Sequence, residues 1–257
     1  MKKFELEKWY FDITNDSGEV FIGYAANLKW GKISFGYNGY LLKTIKNQVT
    51  SNSSFGKYLE PHHTISTVAW KTAFGNGTWN VKKYRIVETL LHSGAGNIEW
   101  DCISPNSLAT FEMGGKPISG NGYVEKIKMT LPPWKLPIRQ LIWGRYLSEK
   151  QSIIWIEWKG PQPKQLLFHN GIKNEHAIIK TSSIQFEDYE MGFYSSISLR
   201  SGSIGNTIFS SFKEIMSFFP SRIFNLDEKK WAGRATLKHK GEAIDSGNYI
   251  HEIVDWK

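Results

Sequence analysis

The feature that most constrains this chain is a repeat within it. The segment Gly115-Lys116-Pro117-Ile118-Ser119-Gly120-Asn121-Gly122-Tyr123-Val124-Glu125-Lys126-Ile127 aligns without gaps to Gly241-Glu242-Ala243-Ile244-Asp245-Ser246-Gly247-Asn248-Tyr249-Ile250-His251-Glu252-Ile253, at an offset of 126. A fainter match pairs Trp9 with Trp143, Ile22 with Ile156 and Tyr24 with Trp158, at an offset of 134. Two matches in the same order, at opposite ends of each copy, predict two similar units, the second shorter by eight residues (134 minus 126) that loops absorb. At 257 residues the chain accommodates two units of roughly 130 residues, each of ordinary domain size. Leu131-Pro132-Pro133-Trp134-Lys135-Leu136-Pro137-Ile138 carries three prolines, which disfavour helix and central strand alike. The expected division is therefore a first unit over 1–131, an extended proline-rich linker over 132–138 and a second unit over 139–257.

Each unit reads as strands. Short runs rich in aromatic and β-branched residues recur, among them 8–13, 19–24, 32–37, 64–70, 82–91, 123–131, 152–158, 177–186, 192–199 and 249–256. Between them stand residues that tolerate positive φ: Thr14-Asn15-Asp16-Ser17-Gly18, Asn38-Gly39, Asn76-Gly77, Asn170-Gly171 and Ser246-Gly247-Asn248. This spacing predicts an all-β protein of antiparallel hairpins. One segment, Phe209 to Phe219, has a helical rhythm ended by Pro220, and a short helix or an aromatic strand both fit it.

Aromatic residues make up 14% of the chain, which favours sheets and ligand pockets over a small helical bundle. The net charge is +8, with the basic residues scattered and never in a long run, so a solvated surface is the expectation. Weak peripheral contact with an anionic membrane is compatible with it; nucleic acid is not expected, because no zinc spacing or RNA-binding signature accompanies the charge. Cys102 is the only cysteine, so no intrachain disulfide forms. No apolar targeting segment opens the sequence and no stretch approaches the roughly 20 apolar residues of a membrane helix, so the expected location is cytoplasmic. The sequence leaves the oligomeric state open.

Five segments in order carry a family resemblance: Glu7-Lys8-Trp9-Tyr10-Phe11-Asp12, Trp100-Asp101-Cys102-Ile103-Ser104-Pro105, Gly120-Asn121-Gly122-Tyr123-Val124-Glu125, Pro133-Trp134-Lys135-Leu136-Pro137 and Trp143-Gly144-Arg145-Tyr146. In order and spacing the chain resembles the tandem lipocalin-like (calycin) proteins typified by hydroxyneurosporene synthase, also called carotenoid hydratase. That group includes bacterial relatives linked to transport operons and is similar in architecture to fungal tandem-calycin Diels–Alderases. The resemblance implies two tandem lipocalin-like antiparallel β-barrels, a hydrophobic small-molecule ligand or substrate, and no cofactor. The chain departs from the carotenoid enzymes in its shorter length and in having Glu125 where an Asp is frequent.

Strand alternation puts Tyr123, Glu125, Ile127 and Met129 on one face and Val124, Lys126, Lys128 and Thr130 on the other. The lysines mark the second face as solvated, so Glu125 is expected to point inward among apolar side chains. Burial disfavours a charged carboxylate, which suits Glu125 to a general acid; it equally suits a structural pair with an arginine or a backbone network. His251 stands opposite Glu125 in the 126 offset, sharing a face with Tyr249 and Ile253, and is either a base or a hydrogen-bonded structural residue. Asp101 lies in a family-like motif, while periodicity turns it away from Trp100 and Cys102 toward a surface or capping role.

Trp9, Trp100, Trp155, Trp158, Tyr123 and Tyr249 are the candidate aromatic lining, with His63 as a further candidate facing the lumen. A metal is not expected, because the neighbouring His62 and His63 point to opposite faces of a strand. The glycines near Gly120 precede a strand and lack a following Gly-Lys-Ser/Thr, which excludes a phosphate loop, and no Gly-x-Ser-x-Gly turn supports a serine nucleophile. Two functions lead, beside a third in which both barrels are filled by their own side chains and the protein is a scaffold acting through surface contacts. One is acid-promoted hydration, cyclisation or isomerisation of a polyene, terpenoid or polyketide-like molecule by a lyase or isomerase; the other is a non-catalytic carrier of a hydrophobic ligand.

Overall fold

The structure is a computed structural model describing residues 3–82, 84–203 and 226–256. The expected helical or strand segment at Phe209–Phe219 lies outside the described residues. The chain divides into two compact units, Met1–Pro132 and Pro133–Lys257. The proline-rich connector is not wholly extended: Pro133–Lys135 forms one turn of 3-10 helix, since the fixed φ of proline suits a first helical turn. Among the described residues no helix is long and apolar enough to cross a membrane.

The first unit contains β1 (Phe4–Thr14), β2 (Val20–Trp30), β3 (Ile33–Lys43), β4 (Val49–Gly56), β5 (His62–His63), β6 (Thr67–Thr72), β7 (Gly75–Val81), β8 (Ile86–Ser93), β9 (Gly96–Met113) and β10 (Lys116–Met129). The second contains β11 (Gln140–Leu147), β12 (Ser152–Lys159), β13 (Lys164–His169), β14 (Ile172–Asn174), β15 (Ala177–Ile179), β16 (Ser183–Phe186), β17 (Tyr189–Ser203), β18 (Asp227–His239) and β19 (Glu242–Asp255). All pairings are antiparallel. The strand order is β4-β3-β2-β1-β10-β9-β7-β6-β5 in one sheet and β14-β13-β12-β11-β19-β18-β17-β16-β15 in the other. The two orders correspond strand for strand, and the long β17 spans along β18 what β7 and β8 together span along β9.

Both sheets curl into barrels. Phe11 on β1 and Trp70 on β6 are four strands apart, about 19 Å in a flat sheet, yet their rings stack with centroids 4.9 Å apart. In the second unit His169 on β13 and Phe186 on β16 are six strands apart and meet at 5.4 Å. The first core gathers Trp9, Phe11, Phe21, Trp70, Trp79, Ile103, Phe111 and Val124. The second gathers Ile142, Tyr146, Trp155, Leu167, Phe186, Met191 and Tyr249.

Turn chemistry is followed at some sites and overridden at others. Asn170 and Gly171 turn with φ of 50° and 83° between β13 and β14, as expected. Asn38-Gly39 instead lies within β3, Asn76-Gly77 opens β7, and Ser246-Gly247-Asn248 runs through the middle of β19. At Gly247 the glycine serves a close approach, since an added Cβ would sit 2.4 Å from the Leu147 carbonyl oxygen. The expected strand 177–186 is a hairpin, β15 to β16.

Candidate active site

Register across β1 and β10 decides which side of the first barrel each candidate occupies. Phe11 pairs with Val124 and Trp9 with Lys126, and Trp9, Phe11 and Val124 all belong to the barrel core. The alternate pairs, Tyr10 with Glu125 and Asp12 with Tyr123, therefore lie on the opposite face, away from the core. This corrects two expectations. Glu125 is buried, 6% exposed, but not inside the barrel, and Lys126 is not solvated but 8% exposed with its Nζ 4.8 Å from the Trp9 ring centroid. Both faces of β10 are buried from Gly122 to Lys126, so lysine content misassigned the inner one.

On that outer, buried face Glu125 is held by two donors converging on one oxygen. The indole N–H of Trp100 donates to Oε2 at 2.6 Å and the Tyr123 hydroxyl donates to the same Oε2 at 2.7 Å. Burial, followed by the neighbouring Cys102 and Glu125, holds the Tyr123 phenol well above its ordinary range, so it remains a donor. The Cys102 thiol is likewise pushed well up, by burial first. Tyr10 meets Tyr123 edge-on at 6.0 Å and Tyr24 at 5.6 Å. Tyr10, Asp12 and Cys102 were not singled out from sequence; the β1–β10 and β9–β10 registers that bring them to this face are long-range properties.

Trp9 stands on the other side of β10, in the first barrel's core, and His63 is exposed on β5 at that barrel's mouth. The His63 ring is 5.7 Å from that of Trp9, and its pKa is lowered by burial and then by Lys126 and Arg85. Asp101, paired with Lys126 across β9 and β10, is neither a cap nor a bare surface acid. It receives Arg85 side-on, Nε to Oδ1 at 2.6 Å and Nη2 to Oδ2 at 2.5 Å. The structure thus brings Tyr123, Trp100 and Glu125 together and sets Trp9, His63 and Asp101 apart from them.

In the second unit the core face of β19 carries Tyr249 and Ile253, with His251 between them in the alternation. The Trp155 N–H donates to His251 Nδ1 at 3.2 Å, which places the imidazole proton on Nε2. Rings of Trp155, Phe193 and Trp231 surround it at 5.9, 5.7 and 5.7 Å. His251 is 1% exposed, burial lowers its pKa to about 4, and its Nε2 has no hydrogen-bond partner among the described residues. Tyr249 stacks on Phe193 at 4.4 Å and shares a hydrogen bond with Ser196. Trp158, three residues from Trp155 and so off the alternation of Ile153 and Trp155, is buried on the face away from the core.

Glu125 lies on an outer face and His251 on an inner one, so they are not equivalent. The true correspondence follows from the closest backbone approaches. An added Cβ at Gly120 would sit 2.3 Å from the Thr14 carbonyl, as one at Gly247 would sit 2.4 Å from that of Leu147. Gly120 thus matches Gly247 and Asn121 matches Asn248, at an offset of 127 (247 minus 120). A single residue's slip exchanges the faces of a strand. By face, Glu125 corresponds to Glu252, which pairs with Lys230 Nζ at 3.0 Å, and Tyr10 corresponds to Trp143. Repeat symmetry therefore does not make His251 the counterpart of Glu125. Among the described residues no group of three or more His, Cys, Asp or Glu side chains is placed to hold a metal.

No protein-family model and no curated protein matches the chain in sequence. Solved structures do match its backbone. A Nitrosomonas europaea protein provisionally named AttH superposes with a TM-score of 0.58 at 6% identity, over 99% of this chain and 93% of that one. Kievitone hydratase from Nectria haematococca gives 0.58 at 9% identity over 97% and 88%, and CghA gives 0.50 at 9% over 98% and 88%. The fold is the tandem lipocalin-like fold. The likeness covers both units, and at these identities it carries architecture and not residue roles.

Proposed function

We propose that the protein binds an apolar, unsaturated small molecule and promotes an acid-assisted change on it, hydration, cyclisation or isomerisation, with Glu125 as the proton carrier. The observation that supports this reading most is the convergence of Trp100 and Tyr123 on Glu125 Oε2. Both donors orient the carboxyl through Oε2. Delivery of the carboxyl proton to an alkene carbon uses the π pair to form a C–H bond and leaves a carbocation. Tyr10 and Tyr123 set aromatic rings beside the carboxyl, and aromatic surroundings favour a cation. Capture by water, with return of the water's proton to the carboxylate, completes hydration; loss of a neighbouring proton completes isomerisation. That a protein of this fold bears the name kievitone hydratase supports water addition as chemistry the architecture accommodates.

The test is turnover of a panel of polyenes, terpenoids and polyketide-like alkenes by wild type and Glu125→Gln. The expected loss is about 100-fold or more, the usual contribution of a positioned acid. Tyr123→Phe, which removes one donor and keeps the ring, is expected to lose less. Turnover unchanged in Glu125→Gln removes Glu125 from the reaction, and a bound molecule recovered chemically unchanged from wild type after incubation supports a carrier instead.

A further inference from the structure

The mouth of the first barrel, on the opposite side of β10 from Glu125, is a second place built for a ligand. A pocket of about 650 Å³ opens there, within the range that holds small organic molecules. Its rim is the β5–β6 turn, with Thr64 and Ile65, and the connection from β7 to β8, with Lys82 and Tyr84. Its inner walls are Val81 and Ile103, the latter a member of the barrel core. The pocket therefore joins an apolar interior to a polar rim.

The polar part is arranged and cationic. Of the five guanidinium N–H donors of Arg85, the two on Nε and Nη2 are fixed on Asp101, which is itself 9% exposed. The Nη1 edge is left for another acceptor, and the Arg85 side chain is 52% exposed. Lys82 lines the same pocket. Lys126 and His63 both stand against Trp9, and both Lys126 and Arg85 act electrostatically on His63. The nearby acids acting on His63 are Asp101, already committed to Arg85, and Glu60.

We propose that this mouth binds a carboxylate carried on an apolar body, with the Nη1 edge of Arg85 as the carboxylate's partner and Val81, Tyr84 and Ile103 against the apolar part. Guanidinium is the side chain suited to carboxylate recognition, and a partner already locked by Asp101 loses little freedom on binding. In this arrangement Asp101 is a positioning residue for Arg85. The site is independent of the chemistry proposed for Glu125, because Glu125 and Lys126 occupy opposite faces of β10.

Calorimetric titration with decanoate and with decanol tests it, using wild type, Arg85→Gln, Ile65→Asp and Glu125→Gln. The expected result is one decanoate per chain, with decanol at least about tenfold weaker, as loss of a charged hydrogen-bond partner implies. Arg85→Gln is expected to weaken decanoate about tenfold. Ile65→Asp sets a negative charge on a rim side chain that is 98% exposed and packs against little, so it tests the field without disturbing the fold; it too should weaken decanoate. Glu125→Gln should bind as wild type does. The proposal is overturned if decanoate does not bind, if decanol binds equally well, if both Arg85→Gln and Ile65→Asp bind like wild type, or if Glu125→Gln weakens binding as much as Arg85→Gln.

Discussion

At the scale of residues, two buried titratable groups differ in what surrounds them. Glu125 meets N–H and O–H donors on a face outside its barrel, whereas His251 sits inside the other barrel within rings of Trp155, Phe193 and Trp231. Burial lowers the His251 pKa to about 4 from an ordinary 6.5. The unfolded chain then binds a proton that the folded chain refuses between those values, so stability is full above pH 6.5 and falls as the pH drops toward 4. A depression of this size corresponds to about 3 kcal/mol. Urea unfolding between pH 7 and 4 should show that loss, and His251→Gln should flatten the part of the profile that His251 supplies. An unaltered profile in the variant would assign the acid sensitivity to other groups. That Glu125 would be buried was legible from its apolar neighbours. Which face buried it was not, because lysines 126 and 128 suggested solvent while Trp9 in fact receives Lys126.

At the scale of elements, the repeat was legible and its phase was not. Tyr123 and Tyr249 attract one another in a gapless alignment, but strands carry side chains with period two, and that alignment pairs an outer face with an inner one. The phase resides in backbone contact, where β1 passes β10 at Thr14 and Gly120 and β11 passes β19 at Leu147 and Gly247. Residue chemistry cannot reveal such contacts. For the same reason Ser246-Gly247-Asn248 read as a turn and is a strand whose glycine admits a carbonyl. Gly120→Ala and Gly247→Ala should each cost about 2 kcal/mol, the usual range for a methyl forced into filled space. Thermal unfolding checks this, and alanine tolerated without loss at either site would mean that the strands part more readily than the approach implies.

For the whole molecule, what the sequence disclosed best was the architecture. Aromatic and β-branched runs, a halfway proline cluster and a repeat of roughly half the length lead to two antiparallel barrels of corresponding strand order. The Diels–Alderase and hydratase resemblances and the solved structures agree on that fold, and one architecture hosts many functions. The functional account therefore rests on Glu125 and the two donors that hold it. Its most direct test is to run the alkene panel in D2O and examine products by mass spectrometry, for wild type and Glu125→Gln. The account predicts one solvent deuterium bound to carbon in the product of the wild type and almost none formed by the variant. Product lacking carbon-bound deuterium, or formed equally by Glu125→Gln, would contradict it.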